Sequence, residues 1–328
     1  MTRTLDNGII IRPFEDADKA LVTEFFDQMG GETRALFNSN GWNRENALSY
    51  FDPETRKENF EYYTAVKDGL MVGYVFLWET NTSVPDMGIC VRDNCKGLHL
   101  GRDLMQFIID RAKKLGASGL QLTTHLANAR AQALYARMGF RRFGTSNGGE
   151  AQYLLRFDTP NQAAQRVNRT LPNGVVIRPF AKEDKAFVNA FFDQMGGETR
   201  AFFNGNDLNR NFANLFFGEG RDNTEYYLAE KDGAMVGYIF LWDTHTAVPW
   251  LGIAVHEGFK GQHLGRDLLQ YLFDRVKDME GNGLLLTTHL ANIRAQALYA
   301  RMGFERIGTS NSGEALYLRR FCVKENKK

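Results

Sequence analysis

The spacing of apolar residues changes several times along the chain, and each change marks an element. Ile9–Arg12 is a short β-branched run ahead of a proline and predicts a strand. From Asp16 to Phe26, Ala20, Leu21, Phe25 and Phe26 fall at helical spacing, and Gly30-Gly31 breaks the pattern. A second helical region is predicted from Thr33 to Tyr50. Tyr62–Val66 and Met71–Trp78 read as strands joined by Lys67-Asp68-Gly69, because Asp-Gly between apolar runs is a strong hairpin signal. Met87–Val91 is a further strand. Between Gly101 and Leu115, residues Leu104, Ile108, Ala112 and Leu115 share one helical face, and Gly116 ends the helix. Gly119–Thr124 predicts a strand, Ala129–Met138 a helix stopped by Gly139, and Phe140–Gly144 and Ala151–Phe157 two closing strands. The order β-α-α-β-β-β-α-β-α-β-β implies an α/β (α+β) class, a mixed sheet covered by helices.

The whole pattern then recurs. Arg3-Thr4-Leu5 returns as Arg169-Thr170-Leu171, and the stretch starting at Phe25 (FFDQMGGETRA) returns at Phe191, both 166 residues on. Lys96-Gly97 returns as Lys260-Gly261, 164 residues on, so the second copy lacks a net two residues between about Phe37 and Tyr62. The period suits a whole domain rather than a solenoid repeat. Expected boundaries are a first domain at 1–158, a polar linker at 159–168 and a second domain at 169–328.

Composition adds little and excludes more. The 328 residues are 43% hydrophobic and 24% charged, an ordinary globular balance. A net charge of +1 gives no electrostatic footprint for nucleic acid. Cys90, Cys95 and Cys322 make no disulfide framework, and Cys90 and Cys95 become Ala254 and Phe259 in the second copy. Met1–Phe14 lacks the charged-then-apolar layout of a signal peptide, and no apolar run approaches the roughly 20 residues of a membrane span. The expectation is a cytoplasmic protein with no membrane or nucleic-acid partner and no metal. It is a monomer with pseudo-twofold domains or a homodimer.

Two segments carry chemistry. The first is CKGLHLGRDL from Cys95, repeated as FKGQHLGRDL from Phe259. A strand ends, a glycine-containing loop follows and a helix begins, which leaves unpaired N–H groups as an anion site. Gly97 and Gly101 allow close backbone approach, and Lys96 and Arg102 add charge. Its bland alternative is an ordinary strand–helix turn. The second segment is NARAQALYARMGF from Asn128, repeated as NIRAQALYARMGF from Asn292. Asn128 is placed to cap the helix. Tyr135 shares a face with Ala131, Leu134 and Met138, and taken alone would read as a core tyrosine.

In order and spacing, the two segments together resemble the GNAT family of acyl-CoA-dependent N-acyltransferases. The family's signature Asn-x-x-Ala-x-x-Leu-Tyr-x-x-x-Gly-Phe is met by Asn128, Ala131, Leu134, Tyr135, Gly139 and Phe140. It is met again by Asn292, Ala295, Leu298, Tyr299, Gly303 and Phe304. The earlier signature, Gln/Arg-x-x-Gly-x-Gly/Ala, is altered identically in both copies. Lys96 and Lys260 replace Gln/Arg, and His99 and His263 replace the middle glycine. Lysine keeps the charge without arginine's fork. Histidine carries a Cβ, so the loop is expected to avoid positive φ there.

The resemblance implies tandem GNAT-like domains that use acetyl-CoA as co-substrate. Acetyl-CoA would lie between Met87–Val91 and Gly119–Thr124, against Ile89, Cys90 and Val91. Lys96, Gly97, Leu98, His99, Leu100, Gly101 and Arg102 would hold the pyrophosphate, Asn128 the pantetheine arm. The second copy offers Ile253, Ala254, Val255, Lys260, Gly261, Gln262, His263, Leu264, Gly265, Arg266 and Asn292. Tyr135 and Tyr299 would protonate the departing thiolate. A phenol with a pKa near ~10 keeps its proton at neutral pH, whereas a thiol sits near ~8.5.

A proton acceptor for the amine is also needed, since freeing a lysine-like amine at pH 7 costs roughly 4–5 kcal/mol. Residues present in both copies are His125/His289, Glu79/Asp243 and Glu32/Glu198. The last pair lies where the family builds its acceptor pocket and is assigned to substrate recognition with Trp78 and Trp242. Phe25, Phe26, Trp42, Tyr62, Tyr63 and Trp78 are aromatic wall or core. Asp86 becomes Trp250, which would give the copies different acceptors. The expected partner is a small-molecule amine. Protein acetylation, an acyl-CoA sensor without turnover, and one copy merely bracing the other are the rival readings. There is no G-x-S-x-G elbow, P-loop or His pair at metal-ligand spacing.

Overall fold

The computed structural model describes residues 1–37, 41–158, 164–203, 205–218, 220 and 222–321. The chain forms two compact units, residues 1–156 and 157–321. In the first, chain order is β1 (Arg3–Thr4), β2 (Ile10–Pro13), α1 (Lys19–Asp27), α2 (Gly31–Phe37), α3 (Trp42–Ser49), β3 (Glu61–Lys67), β4 (Leu70–Trp78), β5 (Asp86–Val91), α4 (Leu100–Lys114), β6 (Gly119–Thr124), α5 (Ala129–Arg137), β7 (Arg141–Ser146) and β8 (Ala151–Arg156). Its strands lie in the order β1-β2-β3-β4-β5-β6-β8-β7. Every pairing is antiparallel except β5 with β6.

The expected elements are present, with three differences. The first helix opens with a one-turn 3-10 segment at Asp16–Asp18 before α1. The region expected as one helix from Thr33 to Tyr50 is two, α2 and α3. Gly41 before α3 has φ +79, a left-handed conformation that ends a helix rather than continuing it. The two-residue strand β1 was not expected, being too short for any periodicity. The hairpin between β3 and β4 turns on Asp68 (φ +49) and Gly69 (φ +77), two successive positive φ values that match the twist of the flanking strands.

One face of the sheet is covered by α4, which buries Leu100, Leu104, Met105, Phe107, Ile108, Ile109 and Ala112. Gly73 on β4 lets it settle: a Cβ there would stand 3.1 Å from Leu104 Cδ1 and 3.0 Å from the Cys90 carbonyl. A second core holds Phe14, Phe25, Phe26, Tyr62, Tyr74, Phe76 and Trp78 with Phe37 against it. Phe25, Phe26, Tyr62 and Tyr63 are therefore core residues.

The second unit repeats the plan as β9 (Arg169–Thr170), β10 (Val176–Pro179), α6 (Lys185–Asp193), α7 (Gly197–Phe203), α8 (Leu208–Leu215), β11 (Thr224–Lys231), β12 (Ala234–Trp242), β13 (Trp250–Val255), α9 (Leu264–Asp278), β14 (Gly283–Thr288), α10 (Ile293–Arg301), β15 (Glu305–Ser310) and β16 (Ala315–Arg320). Within it, Glu225 and Arg275 form an ion pair at 2.6 Å with both side chains 4% exposed. Of the segment expected as a linker, 159–163 lies outside the described residues, as does Cys322. The remainder is fastened within the second unit. Ala164 packs on its core, Arg166 pairs with Glu225 at 3.2 Å, and the Val167 carbonyl accepts from the Tyr271 hydroxyl at 2.7 Å. No helix among the described residues is long and apolar enough to cross a membrane.

Candidate active site

The parallel strands β5 and β6 are in register only at Asp86 and Gln121. Beyond that point their C-terminal ends part, and β5 turns one edge, Gly88–Val91, toward the gap. A cleft of about 1920 Å³ opens there, lined by this edge, by Lys96–Gly97 and His99, by Leu122–His125, and by Asn128 and Tyr135. Its volume exceeds the few hundred to ~1,000 Å³ of ordinary small-molecule sites, so it has room for two substrates. Strands β13 and β14 part in the same way after Trp250 and Leu285.

The loop between β5 and α4 is an anion cradle. The main-chain N–H groups of Gly97, Leu98, His99, Leu100 and Gly101 donate to no group among the described residues. Unpaired donors at a helix start attract negative charge. Gly97 has φ +88 and Gly261 φ +84. His99 overturns the expectation that its Cβ keeps the loop out of positive φ. It caps α4 at φ +64, and His263 caps α9 at φ +65. Histidine is among the side chains enriched in the left-handed region, so it can stand where the family places glycine. Lys96 is directed elsewhere than expected. Its ammonium bonds to Asp93 at 2.5 Å and to the Thr33 hydroxyl, and so is committed to α2. Arg102 is exposed beside the cradle, whereas Arg266 bonds Asp267 at 3.2 Å.

Asn128 caps α5, its Oδ1 accepting from the Ala131 N–H at 3.2 Å; Asn292 does the same for Ala295. The amide Nδ2 is left for the cleft. Tyr135 is buried between the rings of Phe140 and Tyr153, at 6.1 Å and 5.6 Å. Burial raises its pKa above the ordinary phenol value, Cys90 adds to the rise, and a hydrogen bond with Thr124 opposes it. Burial raises that of Tyr299 likewise. Both phenols therefore hold their protons throughout the neutral range. The Cys90 thiol, also fully buried, is pushed up to about 12 by burial and is no nucleophile.

On the acceptor side, Trp78 stacks on Phe76 at 4.3 Å and on Phe60 at 5.4 Å, and meets Trp42 edge-on at 4.6 Å. Its indole donates to the Tyr62 hydroxyl at 3.1 Å. Phe76 lies across Gly88, where a Cβ would fall 2.1 Å from the ring, so only glycine fits. Glu32, Glu79 and Asp86 all line the cleft. Glu79 sits at φ +57 and Asp243 at φ +56, a strained left-handed backbone for an acidic side chain. In the second unit, Trp242 stacks on Phe240 at 4.6 Å and meets Phe212 at 4.9 Å.

One expectation on this side is corrected, at His125 and His289. Glu198, expected to recognise substrate as the counterpart of Glu32, is exposed in the first turn of α7. Its neighbour Thr199 is buried and turned inward to Lys260. Glu32 stands the same way in the first turn of α2, exposed beside the buried Thr33. His125 lines the cleft, but its Nδ1 accepts from the Ala127 N–H at 3.1 Å. Its Nδ1 lone pair is thereby committed to the main chain and is not open to an acceptor's proton. His289 is engaged identically with Ala291 and stacks on Phe202 at 5.1 Å.

Sequence reasoning missed Arg130 and Arg294. A Cβ on Gly97 would stand 3.7 Å from Arg130 Nη2, and one on Gly261 3.6 Å from Arg294 Nη2, so both guanidiniums overhang the anion cradle. The available signal was a basic residue two positions after Asn in both copies.

The acetyltransferase (GNAT) family profile matches residues 24–140 and 192–304, together more than half of the chain. A protein of Bacillus subtilis (strain 168), proposed to be a ribosomal protein bS18-alanine N-acetyltransferase, is 29% identical over 99 residues. That match spans 28% of this chain and 66% of the relative. An L-methionine sulfoximine/L-methionine sulfone acetyltransferase of Pseudomonas paraeruginosa is 25% identical over 139 residues, 41% of this chain and 81% of the relative. Among solved structures, the PaiA N-acetyltransferase of Thermoplasma acidophilum with coenzyme A aligns at 17% identity and TM-score 0.40. It covers 45% of this chain and 99% of that one.

Proposed function

The chain belongs to the acetyltransferase (GNAT) family in both of its halves and takes acetyl-CoA as co-substrate, and we propose that each half acetylates a primary amine of a small molecule. The observation that carries this reading is the buried, protonated Tyr135 lining the gap between β5 and β6 beside the anion cradle, with Tyr299 its counterpart.

The residues present fit acetyl-CoA. The unpaired N–H groups from Gly97 to Gly101, with Arg102 and Arg130 overhead, suit a pyrophosphate. The edge of β5 at Ile89–Val91 suits amide groups seeking strand-like partners, and Asn128 adds a donor. Acetyl-CoA supplies an activated acyl group on sulfur. Tyr135 holds a proton at Oη for the leaving sulfur. The acceptor's proton goes to a carboxylate, for which we assign Glu79 and, in the second unit, Asp243, directly or through water.

The acceptor walls support a cationic amine, because ring faces and carboxylates both attract cations. They also support different acceptors for the two units. Trp42, Phe60 and Asp86 of the first unit correspond to Leu208, Thr224 and Trp250 of the second. The first unit, with Glu32 and Asp86 on its wall, suits an acceptor with more than one positive charge. The second, with Trp250 in place of the aspartate, suits an acceptor with an apolar body. A panel of mono- and polyamines, scored by CoA release from variants carrying Tyr135→Phe or Tyr299→Phe, tests this. Each surviving site should rank the amines differently. Identical rankings would refute the two-acceptor reading. Turnover with peptides alone would mean protein acetylation, and two bound CoA per chain without turnover would mean a sensor.

A further inference from the structure

Helix α2 forms one wall of the cleft through Glu32, Thr33, Leu36 and Phe37. It has 7 residues, too few to persist alone, and the glycines before it offer no side-chain cap. Its fastening comes from 60 residues away. The Gly30 N–H donates to Asp93 Oδ2 at 2.8 Å, and the Thr33 hydroxyl donates to Asp93 Oδ1. Lys96 donates to the same oxygen at 2.5 Å and to the Thr33 hydroxyl. Asp93 opens the single turn Asp93–Cys95, and Lys96 follows it, directly ahead of Gly97. The groups that fasten the acceptor wall therefore belong to the root of the anion cradle.

The second unit places a different acid at the same corner and keeps the lysine–threonine bond. Lys260 donates to the Thr199 hydroxyl and lies 3.8 Å from Glu257. A Cβ on Gly196 would meet Glu257 Oε1 at 3.3 Å, as one on Gly30 would meet Asp93 Oδ2 at 2.6 Å. Glycine, threonine and lysine recur, while the acid is aspartate in one copy and glutamate in the other.

We infer that Asp93, Lys96 and Thr33, with Glu257, Lys260 and Thr199, are positioning residues that carry occupation of the pyrophosphate cradle to the acceptor wall. The N–H groups of the cradle stand unpaired among the described residues. Filling it fixes Lys96 and Asp93, and through them α2. This explains why a lysine stands at a signature position without facing the phosphate: its charge is spent on Asp93. The inference rests on the cradle being the CoA phosphate site.

The test is amide hydrogen exchange on the full chain, with and without coenzyme A. Peptides covering α2 and α7 differ at Leu36 and Phe202, so each unit is read separately. In the wild type, coenzyme A should slow exchange in both helices by roughly tenfold or more. In Asp93→Ala the response of 31–37 should vanish, while 119–124 and 197–203 still respond. Asp93→Glu, which copies the second unit, should restore it. Thr33→Val should lose it as Asp93→Ala does. At the altered site the acceptor KM should rise while coenzyme A affinity changes by less than about threefold. An α2 that still responds in Asp93→Ala, or that stays silent in the wild type while 97–102 responds, would overturn the inference. Silence of 97–102 in the wild type would instead remove the reading of the cradle, and this inference with it.

Discussion

The most direct perturbation is removal of one oxygen from each unit, Tyr135→Phe with Tyr299→Phe. Phenylalanine keeps the ring contacts with Phe140 and Tyr153, so packing is retained. The structural loss is one buried hydroxyl per unit, about 1 kcal/mol, which lowers Tm by only about 2–4 °C for a unit of this size. The chemical loss is larger. A positioned general acid contributes about 10²–10⁴-fold, or roughly 2.7–5.5 kcal/mol of barrier. Because two sites work in parallel, either single variant on an acceptor common to both keeps the rate of the other site. The double variant alone should fall by ~10²-fold or more. Steady-state CoA release, with calorimetric titration of acetyl-CoA, separates the terms: kcat collapses while affinity and a stoichiometry near two remain. The pH profile adds a sign. Burial raises both phenol pKa values, and the protonated form is the active one. Activity that depends on it is lost only as pH rises through a value above the ordinary ~10. A double variant retaining more than about a tenth of wild-type kcat, or an alkaline limb below pH 9 that the variant abolishes, would refute the proton-donor role.

Two further outcomes are expected. Asn128→Ala removes both the cap on the Ala131 N–H and a donor to the cleft, so it should destabilise the first unit by about 1 kcal/mol and weaken acetyl-CoA binding there about tenfold. Calorimetry should then resolve two unequal sites, and a single class of unchanged affinity would exclude the contact. Arg275→Met leaves the buried Glu225 carboxylate without its main partner and should cost roughly 3–5 kcal/mol by denaturant unfolding. Arg111→Met, at the more exposed equivalent pair with Glu61, should cost less. Burial pushes the Glu225 carboxyl up, but Arg275 and Tyr227 outweigh it and hold it below the usual range. Its contribution is therefore present above the ordinary Glu pKa and lost only as pH falls through that lower value. Equal costs for the two arginines would contradict the role assigned to burial.

What could be read from the sequence was what neighbouring residues decide among themselves. The Asp68-Gly69 turn, the apolar face of α4 and the Asn128 cap each depend on groups within four residues of one another, and each lies where expected. The Thr33 partner of Lys96 did not show, because it is 63 positions away and meets the lysine only through the folded sheet. Among the described residues, the split between α2 and α3 is marked by the left-handed Gly41. His99 misled for another reason: its Cβ counts against a positive φ, yet histidine is among the side chains enriched there. The aromatic residues were ambiguous by nature. Phe25 and Tyr62 went to the core and Trp42 stayed 50% exposed, though all three are the same kind of side chain to a periodicity argument.

The two copies also serve as each other's control. On the donor side their backbones agree closely: His99 and His263 at φ +64 and +65, Asn128 and Asn292 both at φ −81, Gly97 and Gly261 at φ +88 and +84. On the acceptor side they part company at Leu36/Phe202, Trp42/Leu208, Phe60/Thr224 and Asp86/Trp250. These changes are not volume-neutral swaps inside a core, which are the kind tolerated without consequence. They exchange charge for an indole and move aromatic surface from one wall to another around Trp78 or Trp242. Both copies keep the left-handed Glu79 and Asp243 backbone, the left-handed cradle and the buried phenol. The distribution of differences fits one donor presented to two acceptors. The substitution that separates this from chance drift is Asp86→Trp, which should shift the first unit's amine preference toward the second's without altering its affinity for acetyl-CoA.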